Sequence, residues 1–280
     1  MTFQPDLTFI SAADARYWRC LYQLLRAAKR RGWDQLGHWV AYDIDLPPHR
    51  RATLERAFPW VTFRTFDLSP YPDFYVPARG TYAWKPTLIN QALQQAPGPL
   101  IWMDSANIPT ADPTAMITHT RKHGIYLLRG QAPLSRRCDP KVLDALNVPS
   151  QTRQNREYVT GIVGLNAADP RIRALTQRWA QLSAQREIIR PLHLDIPRHM
   201  NDQAVLNALV LPLVDRGEIT LPDHDVDISS GTPIRFMSTR NKLGPDAPLW
   251  LDPLARAYYW TYKTIDQWLI RRKTARAPSE

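Results

Sequence analysis

Strand-like and helix-like segments alternate over residues 7–66, and this alternation restricts the fold more than any other feature of the chain. Short apolar runs at residues 7–10, 39–44 and 61–66 predict strands, and segments suited to helices lie between them. Strands connected through helices pair in parallel by right-handed crossovers. The sequence therefore predicts an α/β protein whose mainly parallel sheet is flanked by helices in a single main domain.

The first predicted helix follows the strand predicted at residues 7–10. Ser11 or Asp14 could cap it, because short polar side chains accept hydrogen bonds from the free amides of a helix start. Arg16 and Arg19 lie off its apolar stripe and predict a solvated, charged face.

The apolar run at residues 99–103 ends abruptly in Asp104, and Ser105 and a polar loop follow. This pattern predicts a buried strand that carries one carboxylate to the carboxyl edge of the sheet, where open α/β folds bind ligands. A carboxylate held rigidly there suits contact with a metal ion or a nucleotide diphosphate. The simpler alternative is that Asp104 only caps the next turn.

Lys85 begins another predicted helix, with Pro86 in the first turn, where proline is tolerated. Helix N-termini favour anions, so Lys85 is a candidate phosphate-binding residue. The alternatives are a solvent-facing Lys85 and a Trp84 that only fills the core. A loop rich in proline and tyrosine at residues 69–77 precedes this helix and is expected to wall the site.

Two further segments carry candidate site residues. Gly161 lies in an apolar strand predicted over residues 158–165, where a glycine indicates close approach of the backbone to a ligand, a bulge or a tightly packed helix. Asp202 and Gln203 begin an apolar-periodic helix, which Asn201 or Asp202 could simply cap.

The order of these motifs along the chain resembles that of GT-A glycosyltransferases, especially the family-eight-like and capsule-type sugar transferases. The resemblance covers residues 7–242 and implies a GT-A-like, Rossmann-like fold with a mixed sheet and a catalytic domain over residues 1–245. It also implies a nucleotide-sugar donor and a glycan or lipid-linked acceptor.

The resemblance assigns roles to particular residues. It implies catalytic Asp104 and Asp202, acceptor-side Gly161 and Gln203, a metal held by Asp104 and His224, and a donor diphosphate bound by Trp84, Lys85, Ser105, Arg240 and Lys242. One departure matters, because Ala106 stands where the second carboxylate of the Asp-x-Asp motif is expected. Both a Mn²⁺ or Mg²⁺ site and a metal-independent site with basic residues therefore remain open.

The formal net charge of +10 predicts an anionic partner. Nucleic acid is disfavoured because the chain has no zinc-finger spacing, RNP-like strand or basic heptad array. Arginine-rich residues 129–156 predict a mobile acceptor- or phosphate-binding segment, or a disordered basic loop. Signatures of serine hydrolases, zinc proteases, P-loop NTPases and dinucleotide oxidoreductases are also missing.

Residues 246–280 predict a C-terminal amphipathic helix with basic and aromatic side chains. It could pack on the core or bind an anionic membrane surface. The N-terminus lacks the pattern of a signal peptide, and the two cysteines predict no disulfide framework. We therefore expect a cytoplasmic protein, with peripheral attachment to the inner face of the membrane as an added possibility.

The function predicted from the sequence is glycosyl transfer from a nucleotide-sugar to a glycan, polysaccharide or lipid-linked acceptor. Two alternatives belong to other classes. One is a non-catalytic nucleotide- or glycan-binding protein that kept the fold, and the other is a basic nucleic-acid-binding protein.

Overall fold

The computed structural model describes residues 2–191, 199–225 and 236–238, together with a few positions between residues 251 and 261. Arg240 and Lys242, predicted to bind the donor diphosphate, lie outside the described residues, as does most of the predicted C-terminal helix. Within the described part of the chain, no helix is long and apolar enough to cross a membrane.

The described residues form a main sheet of six strands in the order β3-β2-β1-β4-β7-β6. The strands are β1 Thr8–Ala13, β2 His38–Asp43, β3 Val61–Thr65, β4 Pro99–Met103, β6 Ile125–Pro133 and β7 Arg156–Asn166. Strands β1 to β4 pair in parallel, whereas β7 is antiparallel to both of its neighbours. The predicted mixed, mainly parallel sheet is therefore confirmed. A small second sheet pairs β5 Asn107–Pro109 with β8 Phe236–Ser238.

Helices cover both faces of the main sheet. Those of the described residues are α1 Trp18–Arg30, α2 Pro48–Ala57, α3 Trp84–Gln95, α4 Thr114–His123, α5 Pro140–Ala145, α6 Pro170–Ser183, α7 Arg186–Ile189 and α8 Asp202–Asp215. Successive side chains of a strand point to opposite faces. Ile10 and Trp102 accordingly pack with α3, α6 and α8, whereas Phe9 and Ile101 pack with α1 and α4.

The start of α1 corrects two predictions. Ser11 does not cap the helix, because β1 continues through it to Ala13. The turn before α1 is instead closed by Asp14 Oδ1, which accepts hydrogen bonds from the backbone amides of Arg16 and Tyr17, both at 3.0 Å. Arg19 was expected on a solvated face but is buried, with its guanidinium 5.1 Å from the ring centroid of Trp18.

Much of the arginine-rich region is regular secondary structure rather than the loop predicted from the sequence. Strand β6, helix α5 and the start of β7 lie within it, and several of its arginines form ion pairs. The Nε of Arg129 lies 2.7 Å from Asp225 Oδ1, and a terminal nitrogen of Arg153 lies 2.7 Å from Asp144 Oδ1. The first pair ties the region to a distant part of the chain, and the second lies within the region. The sequence misled because a pattern within one segment does not show which acidic side chains will pair with its arginines.

Candidate functional site

The candidate site is a cleft at the carboxyl ends of β1 and β4. The chain builds the sheet outward from β1 through β2 to β3, then crosses to β4 on the other side of β1. Ligands bind in open α/β sheets at such a reversal of strand order. The cleft encloses about 560 Å³, part of it open to solvent, and its wall includes Asp14 after β1, Tyr82 and Trp84 before and at the start of α3, and Asp104 after β4.

Lys85 lies at the base of this cleft, fully buried in the second position of α3. Its Nζ lies 2.9 Å from Asp104 Oδ1 and 3.2 Å from Asp202 Oδ2, and it donates to the carbonyl of Thr160 at 2.8 Å. An ammonium group has three protons, and these three oxygens account for them. The predicted helix-start position is confirmed, while the solvent-facing alternative for Lys85 is wrong.

Electrostatics favour the charged form of Lys85. Burial acts to lower the pKa of Lys85, but the carboxylates of Asp104 and Asp202 outweigh it and raise that pKa. Burial raises the pKa of Asp202, and the nearby charge of Asp104 adds to this, while the Lys85 ammonium acts in the opposite direction. Lys85 is therefore a fixed positive charge between the side chains of Asp104 and Asp202.

Asp104 is the carboxylate of this cluster that reaches solvent. Its side chain is 42% exposed, against 8% for that of Asp202. Its Oδ1 also accepts a hydrogen bond of 2.8 Å from the indole of Trp102, and its backbone amide donates to the Gly161 carbonyl at 2.8 Å. Asp104 is thus held on several sides while one edge of its carboxylate faces the cleft.

Gly161 brings β7 close to Asp104. A side chain there would place its Cβ 3.1 Å from Asn107 Nδ2 and 3.6 Å from Asp104 Oδ2. The Gly161 carbonyl accepts a hydrogen bond of 2.6 Å from Asn107 Nδ2. The structure supports two of the alternatives for this glycine. The register of β7 against β6 shifts between Val159 and Val163, as in a bulge, and the backbone at Gly161 closely approaches the loop that carries Asp104.

Asp202 and Gln203 attach α8 to β7 rather than lining the cleft. Asp202 Oδ2 accepts a 2.8 Å hydrogen bond from the hydroxyl of Thr160, and Gln203 Oε1 accepts one of 3.3 Å from the Thr160 amide. Gln203 Nε2 donates to Glu157 Oε2 at 2.5 Å, and Asn207 bonds both backbone groups of Tyr158. Sequence reasoning missed Glu157 and Asn207, because nothing in a single strand or helix pattern indicates which polar side chains will meet.

Burial raises the pKa of Glu157, against the lowering effects of its hydrogen bond from Gln203 and of the Arg137 charge. The Nε of Arg137 lies 3.1 Å from Glu157 Oε1. This second buried carboxylate therefore has partners on both oxygens. It supports the end of α8 on which Asp202 lies.

The remaining walls of the cleft are aromatic and basic. Trp84, buried, packs edge-on against Trp102 with ring centroids 6.1 Å apart, so it serves the core and the cleft together. Ser105 also lines the cleft. Arg16, which the sequence placed on a solvated face, is 56% exposed at the cleft wall, where it bonds Asp14 and the Pro77 carbonyl at 2.8 Å.

His224 does not join this cluster. Its Nδ1 lies 3.3 Å from the hydroxyl of Tyr126, which packs with α1 and α4 on the face of the sheet opposite Trp102. The structure therefore does not bring Asp104 and His224 together as the predicted pair of metal ligands. Side chains such as His119 of α4 lie near His224 instead, with rings of His119 and Tyr126 5.8 Å apart.

Comparison with solved structures identifies the fold. The chain is similar to the bifunctional glycosyltransferase WbbM in its apo form, with 14% identity over 75% of this chain and 38% of that one, at a TM-score of 0.50. It is also similar to the galactosyltransferase LgtC in complex with donor and acceptor sugar analogues, with 12% identity over 72% and 70% of the chains and a TM-score of 0.47. GlyE of Streptococcus pneumoniae TIGR4 gives 14% identity over 75% and 43%, at 0.44.

At these identities the likeness concerns the fold alone, and the fold is GT-A-like. The chain spans 38% of the length of WbbM and 43% of that of GlyE. Residues 1–90 match a family described as a protein of unknown function, DUF1647. No curated protein sequence matches the chain.

Proposed function

We propose that this chain transfers a sugar from a nucleotide-sugar donor to a glycan, polysaccharide or lipid-linked acceptor. The observation that carries the proposal is Asp104, a half-exposed carboxylate in the cleft at the ends of β1 and β4, fixed from behind by the buried Lys85. The GT-A-like fold supports it, because glycosyltransferases are the structural neighbours.

The difficult step in such a transfer is departure of the nucleoside diphosphate, which develops negative charge as the glycosidic bond breaks. Groups held in place before the reaction stabilise that charge without reorganising. Lys85 meets this description, but its three protons are directed at protein oxygens. We therefore assign Lys85 to positioning Asp104 and contributing a fixed field, rather than to direct contact with phosphate.

Direct contact with the diphosphate falls to other basic side chains. Arg16 is suited to it, because its guanidinium is exposed at the cleft wall and held by Asp14 and a backbone carbonyl. Trp84 and Ser105 remain donor-side candidates on the same wall. Arg240 and Lys242 remain candidates from the sequence alone.

The acceptor side is proposed to lie where β7 passes Asp104, at Gly161. Asp202 was predicted to contact the sugar or to act as a base. Its burial and its bond to Thr160 favour a positioning role instead. Gln203, engaged with Glu157 and Thr160, would act in the same indirect way.

A non-catalytic binding protein is the second candidate, favoured by Ala106 at the position of the second motif carboxylate. The two candidates differ in turnover. A catalytic chain releases nucleoside diphosphate from its donor, even when water replaces the sugar acceptor, whereas a binding protein does not.

The test is release of nucleoside diphosphate from a panel of nucleotide-sugars by the wild type, Asp104→Asn and Glu55→Gln. Glu55 is a matched control, because its side chain is 45% exposed, close to that of Asp104, and pairs with Arg51 on α2 away from the cleft. Asp104→Asn should lower turnover by about 10²–10³-fold, the usual loss on removing one preorganised polar group. Glu55→Gln should not change it.

Equal turnover by wild type and a folded Asp104→Asn would remove Asp104 from the site. No turnover of any donor, combined with tight binding of a nucleoside diphosphate, would favour the non-catalytic alternative.

A further inference from the structure

The GT-A resemblance implies a divalent cation, and Asp104 is the residue expected to bind it. Its Oδ1 already accepts hydrogen bonds from the Trp102 indole at 2.8 Å and from Lys85 Nζ at 2.9 Å. These two donors use both lone pairs of that oxygen. Only Oδ2 is left to contact a ligand.

The other expected ligands do not reach the site. Ala106 replaces the second carboxylate and has no oxygen in its side chain. His224 lies beside Tyr126 on the opposite face of the sheet. Across the described ranges, no three His, Cys, Asp or Glu side chains are grouped so that they could hold a metal ion. Mg²⁺ sites are usually built from one or two carboxylates together with water and substrate phosphates, so the single oxygen Oδ2 is the smallest contribution that the protein could make to such a site.

The position between the two carboxylates already holds a positive charge. Lys85 Nζ lies 2.9 Å from Asp104 and 3.2 Å from Asp202, and its side chain is 4% exposed. A cation bound to Asp104 Oδ2 would lie next to this buried ammonium. The two positive charges would repel each other, because Lys85 is buried, although the cleft side of Asp104 is open to solvent.

We propose that donor binding in this cleft needs no divalent cation, and that the buried ammonium of Lys85, held between Asp104 and Asp202, is the fixed cation of the site. This inference rests on the proposed function for its donor. It concerns the cofactor requirement, and it separates this chain from a metal-dependent member of the same fold.

The test is calorimetric titration of the intact protein with uridine, guanosine, cytidine and thymidine diphosphates, in EDTA and in excess Mn²⁺. For the nucleotide that binds, the dissociation constants in the two buffers should agree within about twofold. A metal contact worth about 1.4 kcal/mol would instead change the dissociation constant tenfold. A second arm titrates Mn²⁺ alone into wild type and Asp104→Asn, with free Mn²⁺ followed by electron paramagnetic resonance. We expect the two proteins to bind Mn²⁺ equally.

A tenfold or larger loss of nucleotide affinity in EDTA would overturn the proposal, and its absence in Asp104→Asn would place the cation at Asp104. A saturable Mn²⁺ site present in the wild type and lost in Asp104→Asn would also overturn the proposal. If no nucleotide binds in either buffer, the proposed function fails, and the Mn²⁺ arm alone then decides the inference about the metal.

Discussion

Lys85 is the side chain on which the geometry of the site depends. Its ammonium joins α3 to Asp104 after β4, to Asp202 at the start of α8 and to β7 through Thr160. When one member of a buried ionic cluster is removed, the others are left charged without a partner, which costs more than the cluster contributed. Stability should therefore respond strongly to this residue.

Lys85→Met keeps most of the side-chain volume and removes the charge. We expect the free energy of unfolding to fall by about 3–5 kcal/mol. Burial raises the folded-state pKa of Asp202 above its usual 3.8, so its penalty is absent below that value and grows as pH rises through the folded pKa. Without Lys85 this penalty increases, and the loss should be larger at pH 7 than at pH 5.

Urea unfolding at the two pH values, followed by circular dichroism, measures the effect. Arg216→Met is the control, because Arg216 also forms an ion pair, with Glu218, but both side chains of that pair are about half exposed, at 55% and 52%. Exposed pairs contribute at most about 1 kcal/mol. Equal losses in the two variants would contradict the assigned role of Lys85.

The sequence predicted where Lys85 lies along the chain but not its surroundings. A proline in the first turn located the helix start, which is a local signal. The burial of Lys85 depends on Asp104 and Asp202, which are distant in sequence and meet only when α3 and α8 converge. No pattern within one element contains that information.

At the scale of elements, the backbone just before α3 and just before α8 has an unusual conformation. Each follows a non-glycine residue in a left-handed conformation, Tyr82 with φ 56° and Asn201 with φ 45°. Asn201 was a predicted cap, but its side chain makes no capping bond and instead donates to the Gly80 carbonyl at 3.2 Å. That bond links the chain before α8 to the chain before α3. Strain held at such a point indicates a functional constraint.

Two substitutions of Asn201 separate strain from the bridging bond. Asn201→Ala keeps the strained backbone and loses the bond, so stability should fall by about 1–3 kcal/mol. Asn201→Gly relieves the strain and should stay within about 1 kcal/mol of the wild type. Both should lower kcat more than they raise KM, since the two helices no longer hold Lys85 and Asp202 in register.

Thermal unfolding and steady-state donor turnover measure these effects together. Asn201→Gly is the informative variant, because it is expected to be stable yet impaired. A stable Asn201→Gly with full kcat would mean that the bridge to Gly80 has no part in positioning the site.

Sequence patterns located most strands of the main sheet and predicted the parallel direction of β1 to β3, but not the direction or partners of the later strands. The antiparallel direction of β7 and the pairing of β5 with β8 were not predicted. Direction depends on which distant segment offers its backbone, and apolar runs look alike in either direction. Gly164 illustrates the point, because a Cβ there would lie 2.3 Å from the hydroxyl of Thr120 on α4, a constraint that is visible only after packing.

For the molecule as a whole, the proposed site does not explain the basic net charge or the C-terminal segment. The described side chains of Leu254 and Tyr258 are 62% and 71% exposed, which argues against the core-packing alternative for these two residues. The division into residues 1–245 and 246–280 remains a prediction, as does attachment to an anionic membrane surface. A lipid-linked acceptor would make such attachment useful.

Sedimentation of the intact protein with vesicles tests the membrane prediction. Binding to anionic vesicles should exceed binding to zwitterionic ones and should weaken in high salt, because salt screens the electrostatic part. The double change Leu254→Ser and Tyr258→Ser should reduce it several-fold. Phe3→Ser is the control, since Phe3 is also an exposed aromatic, at 48%, but at the other end of the chain. No binding by the intact protein to anionic vesicles would end the membrane hypothesis.

The measurement that tests the central claim most directly is a crystal structure of the protein with the nucleoside diphosphate that it binds. Our account predicts the diphosphate in the cleft at the ends of β1 and β4, within contact distance of Arg16 and facing Asp104, with Lys85 still buried between Asp104 and Asp202. A nucleotide bound elsewhere, for example in the open hollow beside His119 and His123 on α4, would contradict it.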